Sequence, residues 1–93
     1  MSVPSDFAAW RDAALADGFD EVLERRWPPD TLLETHTHPF ALRAVVVEGE
    51  LWLTTAGESR HLEPGDGFEL MRNEPHAERY GTQGAVYWVA RRN

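Results

Sequence analysis

The chain has 93 residues, a formal net charge of −7 and no cysteine. That length sets one domain with a limited core. The charge argues against a phosphate-backbone partner, and the missing cysteines exclude disulfides, cysteine nucleophiles and zinc–thiolate sites. All nine basic residues are arginine, and their only close cluster near an end, Arg91-Arg92, reads as a frayed terminus rather than a binding patch.

Residues 5–16 predict a short helix. Ser5 is the expected N-cap, with Asp6 in the first turn, where negative charge is favoured. Gly18 is the expected stop. Phe7, Trp10 and Ala14 fall at i, i+3 and i+7, one apolar face that packs on the domain or on a second subunit. Residues 1–18 are therefore taken as a helical segment and 19–93 as one β domain.

From Phe19 onward short β-type runs alternate with turn residues. Strands are predicted near 20–27, 31–38, 41–48, 50–55, 59–63, 67–71, 76–80 and 84–90. Between them stand glycines, prolines and acids such as Pro28-Pro29-Asp30, Glu48-Gly49, Ala56-Gly57-Glu58 and Asn73-Glu74-Pro75. Pro64-Gly65-Asp66-Gly67 lacks the lysine and following helix of a phosphate loop and reads as a β-turn. Eight short strands at this spacing predict an all-β sandwich or barrel. Residues 42–47 and 86–89 are nearly continuous apolar runs, which need cover on both faces. The helix or a second chain must supply it, and the second source is the basis for expecting a homodimer. No apolar run is long enough to span a membrane, and no leader pattern is present, so the expected location is the cytoplasm, without membrane contact.

The residues that carry chemistry are His36-Thr37-His38-Pro39 and, far behind them, Glu74-Pro75-His76. Two histidines one residue apart on an extended segment face the same way, their Cβ atoms roughly 7 Å apart. A third histidine from another strand would complete a cluster able to hold one ion. Glu34 and Glu78 share strand parity with these histidines, though neither is assigned as a ligand. His61 lies off this pattern and reads as a solvated surface residue.

The stretch from His36 through Leu42, then six residues and Gly49, resembles the first conserved motif of the cupin superfamily. Leu62-Glu63-Pro64-Gly65-Asp66-Gly67-Phe68-Glu69-Leu70, followed by Asn73-Glu74-Pro75-His76, is similar to the second. The resemblance spans residues 22–90. It implies a cupin-like, RmlC-like jelly-roll β-barrel with a short N-terminal α-helix, enclosing a divalent metal (Zn, Fe, Ni or Mn) held by His36, His38 and His76. The family's carboxylate ligand would stand at position 42, where this chain has leucine.

Three imidazoles bring no negative charge, so a bound dication keeps its full charge and an open position, and it should prefer an anionic or chelating small molecule. Phe40, Leu42, Val46, Leu51 and Leu53 are the expected substrate-lining residues. Tyr80 shares a face with His76 and is the expected catalytic hydroxyl. The implied function is a metal-dependent enzyme such as a dioxygenase, isomerase or lyase. The alternative is a non-catalytic small-ligand or sensor barrel, with or without a metal.

Overall fold

In the computed structural model, which describes residues 6–93, the chain begins with helix α1 (Phe7–Ala16). Ser5 lies outside the described residues. Asp6 is the N-cap: its extended backbone lets the carboxylate accept from the Ala8 amide at 3.0 Å. The helix closes with Gly18 N–H on the Leu15 carbonyl and Phe19 N–H on the Ala14 carbonyl, which satisfies two of the last exposed acceptors. Arg92 donates to the Asp17 and Gly18 carbonyls just beyond.

Six strands follow: β1 (Glu21–Trp27), β2 (Leu32–His36), β3 (Ala41–Thr55), β4 (Glu58–Leu62), β5 (Gly67–Leu70) and β6 (His76–Arg92). The eight expected strands become six because two of the expected breaks are bends inside continuous strands. β3 and β6 pair antiparallel along nearly their whole lengths, with register shifts between Val46 and Glu48 and between Gly49 and Leu51. At this crease Gly49 and Gly84 both adopt positive φ. A Cβ on Gly49 would overlap the Gly84 carbonyl, and one on Gly84 would overlap the Trp27 carbonyl. Glycine is therefore required twice where the ribbon folds.

The crease divides the sheet into two layers. The first is β1, the C-terminal half of β6, the N-terminal half of β3, and β5. The second is β2, the N-terminal half of β6, the C-terminal half of β3, and β4. Their inward side chains form one core, with Ala44, Val46, Phe68, Tyr87 and Val89 from the first layer and Leu51, Leu53, Leu62 and Tyr80 from the second. This is a jelly-roll arrangement. The Pro64-Gly65 corner is a β-turn, closed by the Asp66 amide on the Glu63 carbonyl at 2.9 Å.

The two apolar runs are covered within the chain. Trp88 is buried on the outer face of the first layer, where Phe7 meets it edge-on at 5.3 Å and Trp10 at 6.2 Å between ring centroids. Ala14, at the third position of the predicted stripe, is buried too. These runs thus give no reason of their own to invoke a second subunit. Among the described residues no helix is long and apolar enough to cross a membrane.

The terminus is not frayed as the sequence suggested. β6 runs to Arg92, Arg91 pairs with Glu21 at 3.0 Å, and the Arg91 carbonyl accepts from the Asp20 amide.

Candidate metal centre

β1 and β2 lie end to end on the same edge of β6, and they do not pair with each other. A cleft of about 100 Å³ opens where the two layers diverge there. His36, His38, Leu33 and Glu78 belong to its second-layer side, and Arg25, Trp27, Leu42, Tyr87, Val89 and Arg91 to its first-layer side.

The ligand-capable nitrogens of His36, His38 and His76 all lie within 4.8 Å of one another. His36 and His76 are direct register partners across β2 and β6, with ring centroids 4.2 Å apart. His38 lies just past the end of β2, its ring 5.0 Å from each of the others. Its carbonyl accepts from the Asn73 amide at 2.8 Å, and its ring stacks on Phe40 at 4.9 Å. The loop before β6 is thus tied to the segment that carries His38.

Two of the rings are oriented by the main chain. His36 Nδ1 donates to the Glu34 carbonyl at 2.7 Å, and His76 Nδ1 donates to the Glu74 carbonyl at 3.0 Å. A carbonyl oxygen only accepts, so in each neutral ring the proton is on Nδ1 and the Nε2 lone pair is free. This is how ligating histidines are commonly fixed. Tetrahedral coordination at ordinary zinc–nitrogen lengths would set the nitrogens about 3.4 Å apart, so the cluster fits a metal after a small contraction.

Burial pushes the His38 imidazole below its ordinary value, and the nearby His76 and His36 rings, then Arg91 and Arg25, act in the same direction. The neutral, ligating form is favoured there.

Glu78 is the residue that sequence reasoning undervalued. It is 6 % exposed, with Oε2 3.5 Å from His36 Nε2 and 3.7 Å from His76 Nε2. Strand parity had already turned it inward. Glu34, of equal apparent parity, turns out to solvent because the β2–β6 register shifts between Leu33 and His36 and reverses the alternation.

Tyr80 does not present its hydroxyl directly to the histidines. It is 1 % exposed, and its hydroxyl donates to Glu78 Oε1. Burial, followed by the proximity of Tyr87 and Glu78, pushes that hydroxyl far above its usual range, so it stays a protonated donor. Its place is behind the carboxylate, as a positioning residue.

Of the expected lining residues, Phe40 and Leu42 border the cleft. Val46, Leu51 and Leu53 do not. They alternate inward as expected but lie in the sealed core nearer the crease, each at 2 % exposure or less. Alternation gives the face of a strand and not the end of the barrel. Arg25 and Arg91 were missed as cleft residues. Arg25 lies over Trp27 and Arg91 over Phe40, at 5.1 and 4.6 Å.

His61 is exposed, as expected. It stacks on Trp52 at 4.5 Å and pairs with Glu50 at 2.6 Å on the outer face.

Among solved structures the chain is similar to the DMSP lyase DddQ from Ruegeria pomeroyi DSS-3, with a TM-score of 0.70 and 25% identity over 77% of this chain and 37% of that one. It is also similar to the polyketide cyclase RemF from Streptomyces resistomycificus, with a TM-score of 0.66 and 26% identity over 85% of this chain and 60% of that one. A structural-genomics protein of unknown function from Rhizobium leguminosarum matches end to end, with a TM-score of 0.69 and 22% identity over 99% of this chain and 98% of that one. The chain spans little more than a third of the length of the lyase it matches. No curated protein matches the chain. The family model described as a cupin domain matches residues 24–90, and with a jelly-roll fold carrying its histidines inward, the chain belongs to the cupin family.

Proposed function

We propose that this protein binds one divalent metal through His36, His38 and His76 and uses it to act on a small anionic molecule held in the adjoining cleft. The observation that carries the reading is the convergence of three imidazoles, two of them held by backbone carbonyls with Nε2 free. When bound, the metal supplies a Lewis acid with an open position for a substrate oxygen or for water.

The chain's own residues supply the rest. Arg25 and Arg91 bring two positive charges to the cleft, and Arg91 Nε is buried with no hydrogen-bond partner among the described residues. A carboxylate or similar anion would meet them and orient its remaining part towards the histidines. Phe40, Leu42 and Val89 give the cleft an apolar wall that excludes water from that part of the molecule. The cleft admits only a small molecule.

Among oxygenase, isomerase and lyase chemistry, the likeness at 25–26% identity to a lyase and a polyketide cyclase supports proton-transfer chemistry over oxygenation. Tyr80 and Glu78 form a fixed, buried hydrogen-bonded pair beside the centre and set the polarity of its inner side.

The test begins with chelator-stripped protein prepared without a histidine tag. One equivalent of zinc should bind per chain. Calorimetry of the zinc-loaded protein should then show small carboxylates binding more tightly than neutral analogues of equal size. Equal affinities for charged and neutral ligands would sink the anion reading, and the absence of stoichiometric metal would sink the site. Binding without turnover of any carboxylate offered would instead identify a non-catalytic ligand-binding barrel.

A further inference from the structure

The geometry points to Glu78 as the carboxylate ligand of this centre, moved from β3, where the family's motif would put it at position 42, to β6. The inference rests on reading the three histidines as a metal site and adds a fourth protein donor to it.

The first argument is the count of protons. His36 and His76 carry theirs on Nδ1, held by backbone carbonyls. Their Nε2 lone pairs face Glu78 Oε2 at 3.5 and 3.7 Å. Three electron pairs thus point into one small volume with no hydrogen between them. Such an arrangement is repulsive until a cation enters it.

The second is orientation. Glu78 Oε1 accepts from the Tyr80 hydroxyl, and Tyr80 is stacked on Trp27 with ring centroids 5.5 Å apart. The carboxylate is therefore fixed with its other oxygen towards the histidines. Ligating carboxylates are commonly held by a hydrogen bond of this kind.

The third is charge. A carboxylate this buried needs compensation, yet among the described residues no arginine lies within ion-pairing distance of it. Its ion-pair neighbours are the two histidines. A dication bound there would supply the missing positive charge.

Leu42 then takes on a meaning of its own. It borders the same cleft, so a second acid there would put two carboxylates into one small volume. Leucine at 42 and glutamate at 78 form a complementary exchange. The donor set is three neutral nitrogens and one anion, and the net charge left to attract a substrate is one rather than two.

The test compares wild type with Glu78→Gln and His76→Ala by zinc affinity, measured against a competing chelator, and by the visible spectrum of the cobalt-loaded proteins. Glutamine keeps an oxygen to accept from Tyr80. The Glu78→Gln protein should lose at least about tenfold in zinc affinity and show a shifted cobalt spectrum. Unchanged affinity in Glu78→Gln, with binding abolished in His76→Ala, would overturn Glu78 as a ligand and leave the three-histidine site standing. A loss of affinity with an unchanged cobalt spectrum would also overturn it, placing Glu78 outside the coordination sphere. No zinc binding by wild type would instead remove the site itself. If Glu78→Gln does not fold, infrared difference spectra of wild type on zinc addition decide: a displaced carboxylate band is expected, and its absence overturns the inference.

Discussion

Two histidine–glutamate arrangements occupy opposite faces of the second layer. Outside, His61 meets Glu50 at 2.6 Å, stacked on Trp52, with Arg79 over the other partner strand at 4.0 Å from the same indole. Inside, His36 and His76 face Glu78 at 3.5 and 3.7 Å. The outer contact is the shorter, yet it is an ordinary surface pair: both side chains are well exposed, and water screens them. The inner contacts are longer because no hydrogen bridges them, and burial there makes every unpaired charge costly. Convergence and burial, rather than short distance, distinguish a binding centre from a solvated ion pair.

The sharpest way to break this comparison is to remove one histidine from each side. His76→Ala should abolish zinc binding, whereas His61→Ala should leave stoichiometry and affinity as in wild type. Equal losses in a metal titration would place the ion elsewhere. A smaller effect is expected on stability. Tyr80→Phe strips the buried Glu78 Oε1 of its donor and should cost about 1–3 kcal/mol in metal-free protein. Glu50→Gln on the outer face should cost under about 1 kcal/mol. Denaturant melts of the two variants check the pair, and a reversal of their order would refute the assignment of inside and outside.

The gentlest probe is pH. Burial lowers the His38 pKa in the folded protein below the ordinary value of 6.5. Above 6.5 the ring is neutral in both folded and unfolded chains and contributes no pH dependence. As pH falls below 6.5, the unfolded chain takes up a proton that the folded site resists, so stability falls until the folded pKa is passed. Thermal melts of metal-free protein between pH 7.5 and 5 should show this loss, and His38→Gln should reduce it. Zinc affinity should weaken over the same range, since protons compete for the ligand nitrogens.

Much of the centre is legible in the sequence for a simple reason. His36 and His38 are one residue apart, and strand geometry alone puts them on one face. His76 follows a Pro-led entry into a strand and inherits the same direction. The bulge between Leu33 and His36 is not legible, because no glycine or proline marks it, and so Glu34 and Glu78 looked equivalent. The bends at Gly49 and Gly84 are marked by glycine, but a glycine that folds a strand and a glycine that ends one look alike until the partner strand is known. Arg91 was hidden by its place near the terminus. What draws it into the cleft is its pairing in β6 opposite Glu21 and Leu42, a contact between the two ends of the domain.

The long β3–β6 ribbon also bears on the order in which the barrel assembles. Thr55 pairs with His76, and Ala41 with Arg92, so the two ends of the ribbon enclose chain segments of very different length. Closing the shorter loop costs less entropy. The ribbon should therefore zip from the His76 end towards the crease, with the strand that carries His76 and Glu78 set in place before Arg91 arrives. Pulse-labelled hydrogen exchange during refolding would read this directly, as earlier amide protection near Ala77 than near Ala90.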